Sequence, residues 1–152
     1  FSKKKGDDDH AINLEEGKTY RFRIERTEKN ADEEEYFVAS DIHGGEHLLN
    51  VRYYGHYGFA IGDTFRGRVI RYGAGKRKTI EPENPWYRPG EIIEVTLAGM
   101  TPLGTEEGFM AEVFDSFGFS HNIFLEAPPV SSTLRCRILK MRKGRPVFEV
   151  LT

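Results

Sequence analysis

Gly62-Asp-Thr-Phe-Arg-Gly-Arg-Val-Ile-Arg-Tyr-Gly-Ala-Gly-Lys-Arg-Lys-Thr-Ile80 is written a second time, with changes, as Ser131-Ser-Thr-Leu-Arg-Cys-Arg-Ile-Leu-Lys-Met-Arg-Lys-Gly-Arg-Pro-Val-Phe148. Thr64 meets Thr133, Arg66 meets Arg135, Gly67 meets Cys136, and Arg68 meets Arg137. Apolar and basic residues alternate with period 2, the pattern of a half-buried strand. It sends Phe65, Gly67 and Val69 to a core, and Arg66 and Arg68 outward. Each stretch then meets a glycine-bearing turn, Gly73-Ala-Gly75 or Lys143-Gly144, and resumes as a short strand, which makes a hairpin. Six Lys or Arg lie in each hairpin, together 12 of the chain's 22. The net charge of -2 therefore hides a strong segregation of cations.

Working outward, the repeat extends to most of the 152 residues. Gly17-Lys-Thr-Tyr-Arg-Phe-Arg-Ile24 is echoed by Gly90-Glu-Ile-Ile-Glu-Val-Thr-Leu97, and Phe37-Val-Ala-Ser-Asp-Ile42 by Phe109-Met-Ala-Glu-Val-Phe114. Between the copies, Pro82, Pro85 and Pro89 stiffen a short boundary that also holds Trp86. Trp86 there could stack a base, but packing is the more economical reading. The expected organisation is a polar tail over 1–16, a first barrel over 17–86 and a second over 87–152. Each unit is small but able to fold alone. Each reads as five short antiparallel strands, in the first unit with Glu46 to Tyr54 as the third strand and a turn or helix near Phe59. The expected fold is all-β, two tandem five-stranded Greek-key barrels of the OB type.

Composition narrows the function. Aromatics are plentiful (11 Phe, 7 Tyr and 1 Trp), which suits strands. Cys136 is alone, so no internal disulfide is possible and a reducing, cytoplasmic setting is expected; facing Gly67 in the repeat, it reads as a small core residue. No apolar run reaches the length of a membrane span, and no secretory signal is seen. The chain begins at Phe1, and we read it as a piece of a longer protein. No cofactor is expected, and an enzyme reading is poor. Gly73-Ala-Gly75 lies in a hairpin with no helix following, so it is no phosphate loop. His43 and His47 flank Gly44-Gly45, which forbids the helical spacing of a metal pair. Asp7-Asp-Asp-His10 reads as solvated tail. No nucleophile has a partnered base.

Several motifs together resemble the ribosomal S-one type RNA-binding domain, with cold-shock and initiation-factor OB domains fitting almost as well. They are Gly62-Asp63 opening the basic strand, Tyr36-Phe37-Val38, Gly45-Glu-His-Leu-Leu-Asn-Val51, Phe109-Met110 and Gly118-Phe-Ser-His121. The resemblance places the family's exposed aromatic on Phe37 and Phe109. It places the strand-three His on His121 and, in the first unit, on Asn50, and the basic residue after the last turn on Lys76 and Arg145. The acidic approach to that aromatic, Asp32 to Glu35 and Glu106-Glu107, departs from the family's glycine-rich one.

The expected function is thus a nucleic-acid-binding module, with single-stranded RNA or DNA as partner. Basic side chains would neutralise phosphates and exposed aromatics would stack bases. The candidate residues are Arg21, Arg23, Phe37, Asn50, Arg52, Lys76, Arg77 and Lys78 in the first unit. In the second they are Phe109, His121, Arg142, Lys143 and Arg145. The ligand is expected across the second and third strands, bordered by each basic hairpin. The alternative is a protein-interaction or structural module, with other domains of the same chain as partners, and oligosaccharide binding is a distant third.

Overall fold

The computed structural model describes residues 14–104 and 107–151; the Asp7–His10 stretch and Glu106 lie outside them. The chain is all-β. The described residues divide into two compact units, 14–85 with Arg142–Arg145, and 86–141 with 146–151. No helix among the described residues is long and apolar enough to cross a membrane.

The first unit holds β1 (Thr19–Lys29), β2 (Glu35–Ser40), β3 (Glu46–Asn50), the one-turn helix α1 (Val51–Tyr54), a 3-10 turn at Gly55–Tyr57, β4 (Thr64–Ile70) and β5 (Thr79–Pro82). They form one antiparallel sheet in the order β3-β2-β1-β4-β5. The second unit holds β6 (Ile92–Pro102), β7 (Phe109–Phe114), β8 (Ser120–Leu125), β9 (Thr133–Arg142) and β10 (Arg145–Val150), in the order β10-β9-β6-β7-β8. Read from the other edge, the two orders are the same. Both first strands even carry a bulge at the same place, between Ile24 and Arg26 and between Leu97 and Gly99.

Strand alternation builds both cores. Phe22, Ile24, Ala39, Leu49, Val69 and Ile80 fill the first; Val95, Ala111, Val113, Ile123, Leu134 and Cys136 fill the second. Gly67 is required by space. A Cβ there would lie 2.5 Å from Ile80 Cγ2 and 3.2 Å from the Phe22 ring. Its counterpart Cys136 is fully buried, as its place in the repeat suggests, and burial pushes its thiol pKa up.

The third strand of the first unit ends earlier than its apolar and aromatic residues predict. Asn50 stops it, its side-chain oxygen accepting the N–H of Arg52 at 2.8 Å as an N-cap. Val51 to Tyr54 then turn into helix, and Tyr54 is buried.

Candidate nucleic-acid interface

Hairpin register decides which side chains can meet a ligand, and one polar device sets it in each unit. Asp41 Oδ1 accepts the N–H groups of His43 (2.8 Å) and Gly45 (3.0 Å), while Oδ2 meets His47 Nε2 at 2.8 Å. Asp115 does the same with the N–H groups of Phe117 (2.9 Å) and Phe119 (3.1 Å) and with His121 Nε2 at 2.8 Å. Gly44 and Gly118 supply the positive φ, 83° and 92°, that each turn needs. The motif is Asp-x-x-Gly-x-x-His, written at 41–47 and 115–121. The two carboxylates are almost wholly buried. Burial raises their pKa values, but the histidine and backbone hydrogen bonds outweigh it, and both settle below the ordinary aspartate value. In the second unit the Tyr87 hydroxyl also donates to Asp115.

This register corrects the sequence alignment of the repeat. Ala39 pairs with His47, and Val113 with His121. His121 therefore corresponds to His47, not to Asn50, and Phe37 corresponds to Ala111, not to Phe109. His121 is buried against Asp115, Tyr87 and Phe148, so it is a fold residue and not a base contact. Phe37 is 8% exposed and packs edge-on against Phe59 in the core, which removes it as an exposed stacking platform. Phe109 is half-buried at the start of β7, opposite Leu125.

The basic candidates separate too. Arg52 is held by Glu34, and the Asn50 amide donates to the same carboxylate at 3.2 Å. Lys78 donates to the carbonyl of Leu14 at 2.8 Å. Lys76 and Arg77 are exposed in the β4–β5 turn. Arg142, Lys143 and Arg145 fall with the first unit, at the end of β9 and the start of β10. There the Arg142 guanidinium lies 5.0 Å from the Tyr72 ring, and Lys143 Nζ lies 5.4 Å from both Tyr53 and Tyr72. The buried Glu81 carboxylate accepts from the hydroxyls of Tyr54 and Tyr72, both at 2.8 Å, and from the N–H groups of Lys143 and Gly144, both at 2.9 Å. Burial, with Glu81 beside them, pushes both tyrosine pKa values up.

Outward positions tell the two units apart. On β2–β3 the outer face exposes one large apolar side chain, Leu48, and its polar side chains are paired internally. Arg26 holds Glu46 at 2.8 Å, and Ser40 donates to Glu25 at 2.6 Å. On β7–β8 the outer face carries Phe114 and Phe124, 42% and 50% exposed, with Glu112, Asn122 and Met110 between and beside them. A Cβ on Gly108 would come within 2.8 Å of the Phe124 ring, so that glycine makes room for it. Sequence reasoning missed this pair of aromatics. The signal was the alternation in Ser120-His-Asn-Ile-Phe-Leu125, once His121 is known to point inward. Arg21 and Arg23, exposed on β1, lie beside Arg66 and Arg68 on β4.

No known protein family matches the chain, and no curated protein matches it in sequence.

Proposed function

We propose that the chain is a single-stranded nucleic-acid-binding module, with RNA as its ligand, built from two OB-type barrels and acting in the cytoplasm. The observation that carries this reading is the outward pair Phe114 and Phe124 on β7–β8. Both are large rings exposed to water on a strand face whose other side carries the buried Ala111, Val113, His121, Ile123 and Leu125. They are separated by four residue steps of strand, about 13 Å. Each can stack an unpaired base, worth about 1–3 kcal/mol, and stacking accepts every base because each has a π-face. Asn122 and Glu112 lie between them on the same face and offer donors and acceptors to base edges. In OB-type barrels the second and third strands carry the ligand, and β7 and β8 are those strands here.

A protein partner is the second reading, and the apolar character of Phe114, Phe117 and Phe124, all exposed, favours it. Titration of the chain with single-stranded RNA and DNA oligonucleotides at low salt separates the two. Binding that weakens by about 1–3 kcal/mol in Phe124→Ala, with the salt slope unchanged, supports base stacking. No association with either oligonucleotide overturns the nucleic-acid reading.

A further inference from the structure

We infer that the outer face of β1 and β4 in the first unit is a phosphate-backbone site, built by Arg21, Arg23, Arg66 and Arg68; this rests on the nucleic-acid reading and deepens it.

Arg21 and Arg66 sit directly opposite each other across the antiparallel β1–β4 pair, and Phe22 and Phe65 occupy the next rung. Directly opposed side chains have Cβ atoms about 4.5–5.5 Å apart, and like charges placed so are destabilising. Arg23 and Arg68 lie on the two diagonals of the same pair, opposite Thr64 and Thr19. All four are exposed on one face, while Phe22, Ile24, Gly67 and Val69 point to the core. Four guanidinium groups are thus gathered on three successive outward rungs of a sheet.

The chain does not lack carboxylates to relieve this crowding, with 24 Asp and Glu against 22 Lys and Arg. Elsewhere it uses them: Arg26, Arg52, Arg71 and Arg137 each hold a glutamate. On this face Arg66 meets Glu83 at 3.8 Å, at the margin; Glu81 stands opposite Arg68 across β4–β5, but its carboxylate is committed to Tyr54, Tyr72 and the N–H groups of Lys143 and Gly144. Arg21, Arg23 and Arg68 make no ion pair among the described residues. Glu25, the next acidic residue along β1, is engaged by Ser40.

The second unit shows what the same fold does without this demand. Its rung equivalent to Arg21–Arg66 is Glu94 opposite Arg135, an opposite-charge pair. Ile92 and Thr96 replace Thr19 and Arg23 in the flanking places. The fold therefore does not require a like-charge rung, and the first unit carries one at a cost in stability. An anion with several charged oxygens removes that cost. The guanidinium groups form three ranks, Arg68, the Arg21–Arg66 pair and Arg23, each two residues of strand from the next, about 7 Å. Each planar fork can take two oxygens of one phosphate. A chain of phosphates fits this spacing, and a single small anion would leave half the face uncovered.

The test uses the whole chain, with three probes: a single-stranded RNA oligonucleotide, linear inorganic polyphosphate, and polyglutamate. For the unaltered protein, log of the RNA association constant falls linearly with log of salt. In the double variant Arg21→Gln/Arg66→Gln, affinity for RNA and for polyphosphate should drop about tenfold or more at low salt. The RNA slope should lose about 1.4, from roughly 0.7 for each phosphate no longer neutralised. Arg21→Lys/Arg66→Lys should keep the slope while losing affinity, because the charge stays and the fork is gone. Arg21→Glu, which rebuilds the Glu94–Arg135 rung, should melt no lower than the parent, so that its loss of binding cannot be laid to unfolding. RNA binding with unchanged affinity and slope in these variants overturns this inference and leaves the proposed function standing. Polyphosphate binding through this face without RNA binding does the reverse. Polyglutamate held more tightly than either phosphate chain assigns the face to an acidic protein and overturns it.

Discussion

The two units share strand order, bulge position and turn motif, yet they face water with different chemistry. The first exposes Arg21, Arg23, Arg66 and Arg68 on β1–β4, while on β2–β3 it exposes Leu48, ties Glu46 to Arg26 in an ion pair and bonds Ser40 to Glu25. The second neutralises the equivalent β6–β9 rung with Glu94 and Arg135 and opens β7–β8 to water with Phe114 and Phe124. Ser40 stands where the second unit has Phe114, and Asn50 where it has Phe124. What holds each barrel together is kept; what a ligand would touch has been divided. Exposed charge falls to one copy and exposed aromatic rings to the other, a division that substitutions can test one part at a time.

The largest effect is expected at the buried aspartates. Asp41→Ala orphans two backbone N–H groups and a histidine, and should cost about 2–4 kcal/mol. Asp115→Ala also strands the Tyr87 hydroxyl, whose place in the first unit is held by the apolar Leu14, and should cost about 3–5 kcal/mol. Denaturant unfolding checks this. Trp86 packs against Phe119 within the second unit and is the chain's one tryptophan, so its fluorescence reports that unit. If the two losses are equal, Tyr87 does not distinguish the units.

Next comes Gly67→Ala, expected to cost about 1–3 kcal/mol through overpacking, because Ile80 is buried and β-branched and cannot swing away. Cys136→Ala at the matching place creates only a small void and should cost about 1 kcal/mol. Thermal melts of both variants measure the difference, and a larger loss for Cys136→Ala would reverse the packing account.

Acid should act on both units in the same direction. The Asp41 and Asp115 carboxyls have folded pKa values below their unfolded ones. Their contribution to stability is therefore fully present above the ordinary aspartate value, about 3.9, and is lost as pH falls through the lower folded values. Urea midpoints measured from pH 6 downward should fall only below about pH 4, and the fall should shrink in Asp41→Asn/Asp115→Asn. The smallest effect is electrostatic. Arg21→Glu should stabilise the first unit by about 0.2–1 kcal/mol at low salt, and Glu94→Arg should destabilise the second by a similar amount. Both differences should fade at high salt, as exposed charges do.

The barrels were legible because Phe22, Ile24, Phe65 and Val69 alternate with arginines, and because Gly67 and Cys136 mark one crowded place twice. Register was not legible from apolar letters. Phe37-Val-Ala and Phe109-Met-Ala align by resemblance, two residues away from the pairing that the Asp-x-x-Gly-x-x-His turns impose. Asn50 looked like a strand residue until its capping bond to Arg52 turned the chain into helix. The arginine face needed long-range pairing. Arg21 and Arg66 are each visible as outward residues, but nothing local says that β1 lies beside β4. Phe114 and Phe124 were hidden because strands whose apolar residues fall on both faces carry no clean alternation.

That last property bears on how the chain folds. In β3, Leu48 points to water and Leu49 to the core; in β8, Phe124 and Leu125 do the same. Sliding either strand by one residue would bury Glu46 and Asn50, or Ser120 and Asn122, yet Leu48 or Phe124 would take the core place of Leu49 or Leu125, so that exchange by itself does not penalise the slip. The aspartate-to-histidine bridge does, because a slipped strand carries His47 or His121 out of reach and leaves a carboxylate buried alone. Its partners lie close along the chain, so closing it costs little loop entropy and can precede the distant meeting of Phe22 with Phe65. Folding is then expected to start from two aligned hairpins, with few misaligned chains that expose leucine edges, the species prone to aggregate. Proteins lacking either aspartate should accordingly refold with lower yield at high concentration.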